Sequence, residues 1–384
     1  MTALSGIRVL DFSRVLAGPL CSMILGDLGA DVIKVENPKT GDETRAWGPP
    51  WAGDQSAYYL SVNRNKRSIT LDLKSESDQK IAKALTKTSH IIIENFKPGQ
   101  MQTFNLSYET LHAINPSLVI CSITGFGQTG LYSNRPGYDF VIQAMSGLMS
   151  ITGNPNDEPH KVGVAVSDVF TALYACNAIL AALRHAERTG EGQHIDMALL
   201  DSQIAALVNI GSNFLISGKN PPRYGNQHQN IVPYQVFHAA DGAFVLAVGN
   251  DRQFEALCNL INRPDLYADS RYSTNPARVI NRDSLIETLS NIFKRRSVND
   301  WVDELLRLNI PVGHINTIEE ALTDEHIKAR GMIESVTLSN GETVPLIHSP
   351  LHLSATPPSI RYPPPLLGEH TNEIIQELVD RGVL

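Results

Sequence analysis

Four cysteines are few for a chain of 384 residues, and Cys21, Cys121, Cys176 and Cys258 lie far apart with no CxxC pair. This spacing excludes a disulfide-stapled scaffold and a cysteine zinc site, and it predicts a reducing environment such as the cytoplasm. Positive charge is also in deficit, because 32 Lys and Arg residues stand against 40 Asp and Glu residues. Nucleic acids and anionic membranes attract proteins with an excess of basic residues, so we expect neither as a partner.

Long apolar runs are missing as well. The longest, residues 169–183, is bounded by Asp168 and Arg184 and is shorter than the ~20 residues that span a membrane. We therefore predict a buried helix there and no membrane association. The first six residues are too few for a secretory leader, and a strand pattern follows them directly.

Several catalytic motifs are absent. The chain has no GxxxxGK[ST] phosphate loop, no HExxH metal pair and no GxSxG nucleophile elbow. Gly125, Gly127 and Gly130 have the GxGxxG spacing of dinucleotide sites, but residues 131–136 are a poor helix start. The glycines therefore favour a tight loop after a strand, and we expect no bound metal and no tightly bound cofactor.

Strand and helix patterns alternate in the first half of the chain, which predicts parallel βαβ units and an α/β fold. The strand patterns are residues 7–9, 31–36, 68–73, 89–94, 118–124 and 193–197. Residues 218–230 are rich in Pro, Gly, Asn and Gln, which is typical of a linker or loop. A hairpin pattern and further helices follow, so a smaller α+β domain is expected over residues 225–325.

Asp168 stands directly before the long apolar helix. One interpretation is structural: Ser167 or Asp168 caps the helix by accepting hydrogen bonds from its first backbone N–H groups. The other is functional: a carboxylate held ionised at a helix N-terminus could attack an activated acyl group and form a covalent intermediate. The residues by themselves leave both interpretations open.

Eight motifs occur in the order of one known family. They are residues 10–19, 26–36, 63–69, 94–99, 137–139, 163–168, 188–193 and 366–370. The chain therefore resembles the class III CoA-transferases, the group that includes formyl-CoA transferase, carnitine CoA-transferase and the α-methylacyl-CoA racemases. Residues 58–66, 122–130 and 231–235 are most similar to succinyl-CoA:dicarboxylate enzymes of the glutarate type.

The resemblance implies a Rossmann-like large domain formed by both chain ends, and an interlocked homodimer. The expected boundaries are a large CoA-binding domain over residues 1–200, a linker over 201–224, the small domain over 225–325 and a returning segment over 326–384. It also implies the reaction. CoA moves from an acyl-CoA, such as succinyl-CoA, to a carboxylic acid, with Asp168 as the covalent nucleophile and CoA thioesters as substrates.

The same resemblance assigns binding residues one by one. Those expected to bind CoA are Arg14, Val15, Ala17, Leu71, Lys74, Asn95, Phe96, Lys97 and Tyr138. Those expected in the substrate pocket are Leu16, Arg45, Trp47, Tyr58 and Arg223. Arginine pairs with carboxylates through two parallel hydrogen bonds, so Arg45 and Arg223 are the candidates for the distal carboxylate of a dicarboxylic acid.

Two departures from the family pattern bear on the alternatives. Leu16 replaces the glutamine with which formyl-CoA transferase contacts its small acyl group, which disfavours formate and oxalate as substrates. Tyr138 replaces the basic histidine of the racemases, and a tyrosine with a pKa near ~10 is a poor base at neutral pH. We therefore favour CoA transfer over racemisation on the same fold, and a non-catalytic CoA-binding protein stays as an alternative of another class.

Overall fold

A six-stranded parallel sheet forms the centre of the larger of two units in the computed structural model, which describes residues 2–384. Its strands are β1 (Arg8–Asp11), β2 (Asp31–Glu36), β3 (Lys66–Thr70), β4 (Ile91–Glu94), β5 (Val119–Thr124) and β6 (His194–Ala198). They lie in the order β3-β2-β1-β4-β5-β6, which is the order of Rossmann folds. The predicted α/β fold with a parallel sheet is confirmed.

Both faces of this sheet are buried, because successive strand residues point to opposite sides. Val9 and Ile91 pack with helices of one face, whereas Leu10 and Ile92 pack with helices of the other. Each fully buried side chain of this size stabilises the fold by roughly 1.5–3 kcal/mol. Burial on both faces explains why these strands are nearly continuous apolar runs in the sequence.

The larger unit comprises residues 2–148, 161–219 and 325–384, and most helices of the chain belong to it. They are α1 (Ala17–Asp27), α2 (Ala57–Ser61), α3 (Glu76–Lys87), α4 (Gln100–Thr103), α5 (Tyr108–Ile114), α6 (Asp139–Met145), α7 (Leu148–Ile151, at the boundary of the units), α8 (Val166–Thr189), α9 (Leu199–Ala205), α10 (Val208–Ser217), α17 (Glu325–Ala329) and α18 (Thr371–Asp380). A 3-10 turn (Glu43–Ala46), the short strands Trp51–Ala52 and Gln55–Ser56, and the hairpin of β10 (Ile333–Thr337) and β11 (Thr343–Ile347) complete the unit.

The smaller unit comprises residues 149–160 and 220–324. Its antiparallel sheet has the order β9-β8-β7, from β7 (Tyr234–His238), β8 (Ala243–Ala247) and β9 (Val312–His314). Its helices are α11 (Asp251–Leu260), α12 (Pro264–Ala268), α13 (Asn275–Ile280), α14 (Arg282–Phe293), α15 (Val298–Arg307) and α16 (Ile318–Thr323). Phe237, Phe244, Phe293 and Trp301 form its aromatic centre.

Three segments differ from the sequence predictions. The region 201–224 is not a plain linker, because α9 and α10 occupy most of it and only residues after 217 are irregular. β3 begins at Lys66 rather than at residue 68, since the charged Lys66 and Arg67 are buried and pair with carboxylates of β1 and β2. Residues 149–160 also belong to the smaller unit, which no local pattern indicated.

Helix α8 is three residues longer at its start than its apolar run, and it ends where Gly190 adopts a left-handed conformation with φ of 76°. By length and composition it could cross a membrane. One face, with Ala172, Ala175 and Ile179, packs in the same core cluster as α1 and the sheet. Such packing is typical of a central helix in a globular unit.

Candidate active site

The candidate site lies at the carboxyl edge of the sheet, where the loops after β1, β4 and β5 meet the first turns of α1 and α8. A cavity of about 160 Å³ opens there. The structure brings nine of the predicted site residues into its lining: Arg14, Val15, Leu16, Ala17, Asn95, Phe96, Lys97, Tyr138 and Asp168. Ligands of Rossmann-type sheets bind at this edge, where the strand order reverses between β1 and β4.

A second cavity, of about 460 Å³, adjoins the first. The two share Arg14, Glu43 and Phe96 as lining residues. The predicted residues Leu71 and Lys74 line the second cavity. An elongated ligand could therefore extend from one cavity to the other past the Phe96 ring.

Asp168 is the third residue of α8 and does not cap it. The residue at the capping position is Ala165, whose side chain has no acceptor. Within residues 2–384 the Asp168 carboxylate accepts no hydrogen bond, while the Ser167 N–H donates to Asp139 at 2.8 Å. The capping interpretation of Ser167 and Asp168 is therefore wrong, because the helix begins at Val166, three residues before the apolar run.

The surroundings of Asp168 disfavour its negative charge. Burial, and secondarily the charge of Asp139, raise the pKa of the Asp168 carboxyl to about 7. Asp139 is itself held in place by Gln143, whose Nε2 donates to it at 2.7 Å. A poorly solvated carboxylate that makes no hydrogen bond is free to attack, and a strongly shifted pKa in a cleft is typical of functional groups.

The loop after β1 is held in a strained conformation. Val15 has φ of 72°, a region that a β-branched residue rarely adopts and that costs about 1–3 kcal/mol. Its N–H donates to both carboxylate oxygens of Asp42, at 3.2 and 3.3 Å. The buried Lys34 ammonium donates to Asp42 and to the Ser13 carbonyl, each at 2.9 Å. Although burial opposes it, this ion pair lowers the pKa of Asp42 to about 2.

We expect Asp42→Asn to lower the free energy of unfolding by about 3 kcal/mol, because it leaves the fully buried Lys34 ammonium without its counter-ion. Urea denaturation at pH 7 measures this change. The exposed Asp54 is the matched control, and Asp54→Asn should change stability by less than about 0.5 kcal/mol. Equal stability of the two variants would contradict this account of the loop.

Four predicted pocket residues do not line either cavity. The Arg45 guanidinium is occupied by Glu36, by the Tyr59 hydroxyl at 2.6 Å and by the Pro365 carbonyl at 3.1 Å. Arg45 thus ties loops of the fold together, so we do not propose it as the partner of a distal carboxylate. Arg223 belongs to the smaller unit, where its Nε donates to the Asn154 carbonyl at 3.1 Å.

The other two, Trp47 and Tyr58, pack edge to face with ring centroids 5.1 Å apart. Burial raises the pKa of the Tyr58 hydroxyl to about 12, and the negative charge of Asp168 contributes to that rise. Tyr58 is therefore close enough to the carboxylate to interact with it electrostatically.

The structure also adds residues that the motifs did not indicate. Arg135 lines the same cavity as Asp168, and its guanidinium lies 3.7 Å from the centre of the Tyr132 ring. Within residues 2–384 it has no carboxylate partner and no hydrogen bond from its side chain. Leu199, directly after β6, also lines the cavity. Across residues 2–384 no group of three or more His, Cys, Asp and Glu side chains could hold a metal ion.

The chain is similar to known proteins over nearly its whole length. The profile of CoA-transferase family III matches residues 4–371. Succinate–glutarate CoA-transferase of Agrobacterium fabrum is 48% identical over 381 residues, which cover 98% of this chain and 95% of that protein. Human succinyl-CoA:glutarate CoA-transferase is 43% identical over 393 residues, covering 99% and 87%. The crystal structure of a CAIB/BAIF family protein from Brucella suis superposes with a TM-score of 0.86 at 45% identity, covering 98% and 99%.

Proposed function

Because the chain belongs to CoA-transferase family III and is an enzyme that transfers CoA, we propose that it moves CoA from succinyl-CoA to a second dicarboxylic acid through Asp168. The observation that carries this proposal is the Asp168 carboxylate, which faces the cavity without a hydrogen-bond partner in residues 2–384. Relatives that exchange CoA between succinate and glutarate support the class of substrate.

The reaction proceeds by alternating attack on thioester and anhydride. The Asp168 carboxylate attacks the thioester carbonyl of succinyl-CoA and expels the CoA thiolate, which leaves a mixed anhydride. The thiolate then attacks the aspartyl carbonyl, which releases succinate and leaves an aspartyl-CoA thioester. The acceptor carboxylate attacks the carbonyl of this thioester and expels the thiolate, which leaves a second mixed anhydride. The thiolate finally attacks the acceptor acyl carbonyl, which forms the product acyl-CoA and restores the Asp168 carboxylate. No water enters any of these steps.

The two cavities suit the two ends of acyl-CoA. We propose that the nucleotide lies in the larger cavity, near Lys74 and against the Phe96 and Phe104 rings, which pack edge to face 5.6 Å apart. The thioester then reaches Asp168 in the smaller cavity. Arg14, which lines both cavities, and Lys97, which lines the smaller one, supply positive charge for the phosphates, which cations bind through charge-assisted hydrogen bonds.

The distal carboxylate of the dicarboxylic acid needs a cation beside Asp168. Arg135 lines that cavity and has no acidic partner within residues 2–384, whereas Arg14 is paired with Glu43. Its planar guanidinium suits a carboxylate through two parallel hydrogen bonds. We therefore propose Arg135, and not Arg45, for this role.

We further propose that the chain functions as a homodimer in the cytoplasm. Helix α10 exposes apolar side chains to water, with Val208 68%, Leu215 82% and Ile216 88% accessible in the single subunit. Large apolar patches of this kind mark interfaces. Sedimentation should give twice the subunit mass, and a stable monomer at micromolar concentration would contradict the dimer.

All four cysteines are free and buried, which suits a reducing compartment such as the cytoplasm.

The proposed activity is tested with a panel of isotopically labelled acids incubated with succinyl-CoA. We expect mass spectrometry to find label in glutaryl-CoA or another dicarboxyl-CoA. No transfer to any acid would contradict the proposal. Deuterium exchange at the α-carbon of a 2-methylacyl-CoA, without an acceptor acid, would indicate a racemase instead.

A further inference from the structure

A line of polar side chains lies beneath the loop that carries Asn95, Phe96 and Lys97. Glu94 ends β4, and Ser122 lies opposite it in register on β5. Ser122 hydrogen-bonds Glu94, and its Oγ lies 2.9 Å from Nε2 of His194 on β6. Three neighbouring strands each contribute one member to this line, and the transfer chemistry uses none of them.

Glu94 is hydrogen-bonded to the loop of residues 95–97. Its Oε2 accepts a hydrogen bond from the Phe96 N–H at 2.7 Å. Above it, the Asn95 side chain exchanges two hydrogen bonds with the backbone of Arg14, at 2.7 and 3.0 Å. The loop of residues 95–97, whose Phe96 lines both cavities, is therefore attached to Glu94 and to the loop after β1.

The surroundings of Glu94 make its charge sensitive to pH. Its side chain is 4% exposed, and burial raises the pKa of the carboxyl to about 7 despite the two hydrogen bonds it accepts. Burial lowers the pKa of His194 and raises the pKa of Cys121, so burial favours the neutral form of both groups. Tyr108, which stacks on His194, and Lys97 line the same small cavity of about 50 Å³.

We propose that Glu94 is a positioning residue for acyl-CoA: its ionised carboxylate fixes the Phe96 N–H and thereby keeps the loop of residues 95–97 in its CoA-binding shape. A neutral carboxyl is a weaker acceptor, so protonation loosens the loop. CoA affinity then falls as the pH falls through the range in which Glu94 takes up its proton. This inference rests on the proposed function, since the loop must bind CoA.

The test measures binding rather than turnover. Asp168→Asn removes the other carboxyl of the site that titrates near neutrality, and dephospho-CoA removes the titrating 3′-phosphate. Calorimetry should show that dephospho-CoA binds the Asp168→Asn protein about fivefold more weakly at pH 6 than at pH 8. This factor is the difference in strength between a hydrogen bond to a charged acceptor and one to a neutral acceptor. The double variant with Glu94→Gln should bind with the same affinity at both pH values.

Ser122→Ala supplies an independent readout in the same background. The Ser122 hydrogen bond lowers the pKa of Glu94, so its loss should move the midpoint of the pH dependence upward. A merely structural role for Glu94 would leave that midpoint in place. Equal pH dependence with and without Glu94→Gln, no pH dependence in the parent, or an unmoved midpoint in Ser122→Ala would each overturn the inference. Failure of dephospho-CoA to bind the parent at any pH would instead contradict the proposed function, and the inference with it.

Discussion

Asp168→Asn should abolish CoA transfer, with kcat falling by at least about 10⁴-fold, because an amide cannot form the aspartyl anhydride or thioester. Asn is nearly the same size and leaves the Asp139 contacts with Ser167 and Gln143 in place. The variant should therefore fold and still bind CoA. Steady-state assays with succinyl-CoA and the acceptor acid that the labelled panel identifies measure the loss of activity. Mass spectrometry of the variant excludes deamidation back to Asp.

The stability of this variant follows from the sign of the pKa shift. The folded-state pKa of Asp168 lies near 7, above its unfolded value, so ionisation costs folding free energy as the pH rises through that interval. Asp168→Asn removes this cost and should be more stable than the parent at pH 8, by up to about 4 kcal/mol, with the difference vanishing below pH 4.

The matched control is Asp201→Asn, since Asp201 is also the third residue of a helix but is exposed. It should retain activity and show no such pH-dependent gain in stability. An active Asp168→Asn enzyme, or a variant no more stable at pH 8 than the parent, would contradict the account of this carboxylate.

Arg135→Gln should change the choice of acceptor rather than the chemistry. A hydrogen bond between charged groups contributes about 1.5–3 kcal/mol, so kcat/KM for glutarate should fall about 10- to 100-fold relative to pentanoate, which lacks the distal carboxylate. Both acids should compete for the same succinyl-CoA in one reaction, because the ratio of products then cancels any effect on the donor. Arg135→Lys should restore part of the preference.

Arg184→Gln provides the control for this experiment, since Arg184 is an exposed arginine of α8 that only approaches Glu187, at 4.0 Å. It should leave the product ratio unchanged. Equal losses for glutarate and pentanoate in Arg135→Gln would show that Arg135 contacts CoA or supports the fold, and would contradict its proposed role.

Much of the fold could be predicted from the sequence, because strands buried on both faces have continuous apolar runs that alternate with helices. The predicted start of β3 was wrong because charged residues are buried there. Lys66 and Arg67 begin the strand, where they pair with Asp11 and Asp31. A local pattern cannot reveal such partners. The family membership predicted from eight motifs is confirmed by the profile match.

Site residues could be predicted where they lie in loops that belong to a family motif. They were harder to predict where a long side chain can pair with several different groups. Residues 14–17 and 95–97 line the cavity because motif loops follow β1 and β4. Arg45 carries the positive charge that a distal carboxylate would require, but in the fold its guanidinium pairs with Glu36. No motif includes Arg135, which stands two residues before the motif at 137–139, and no sequence pattern distinguishes an unpaired arginine in a cavity from one on the surface.

The covalent intermediate is the central claim, and trapping it is the most direct test. The enzyme is incubated with succinyl-CoA and then hydroxylamine, which converts an aspartyl anhydride or thioester to a hydroxamate, and its peptides are mapped by mass spectrometry. We expect a hydroxamate on Asp168 alone, and none without succinyl-CoA. Transfer that proceeds with Asp168 unmodified, or with the label on another residue, would contradict it.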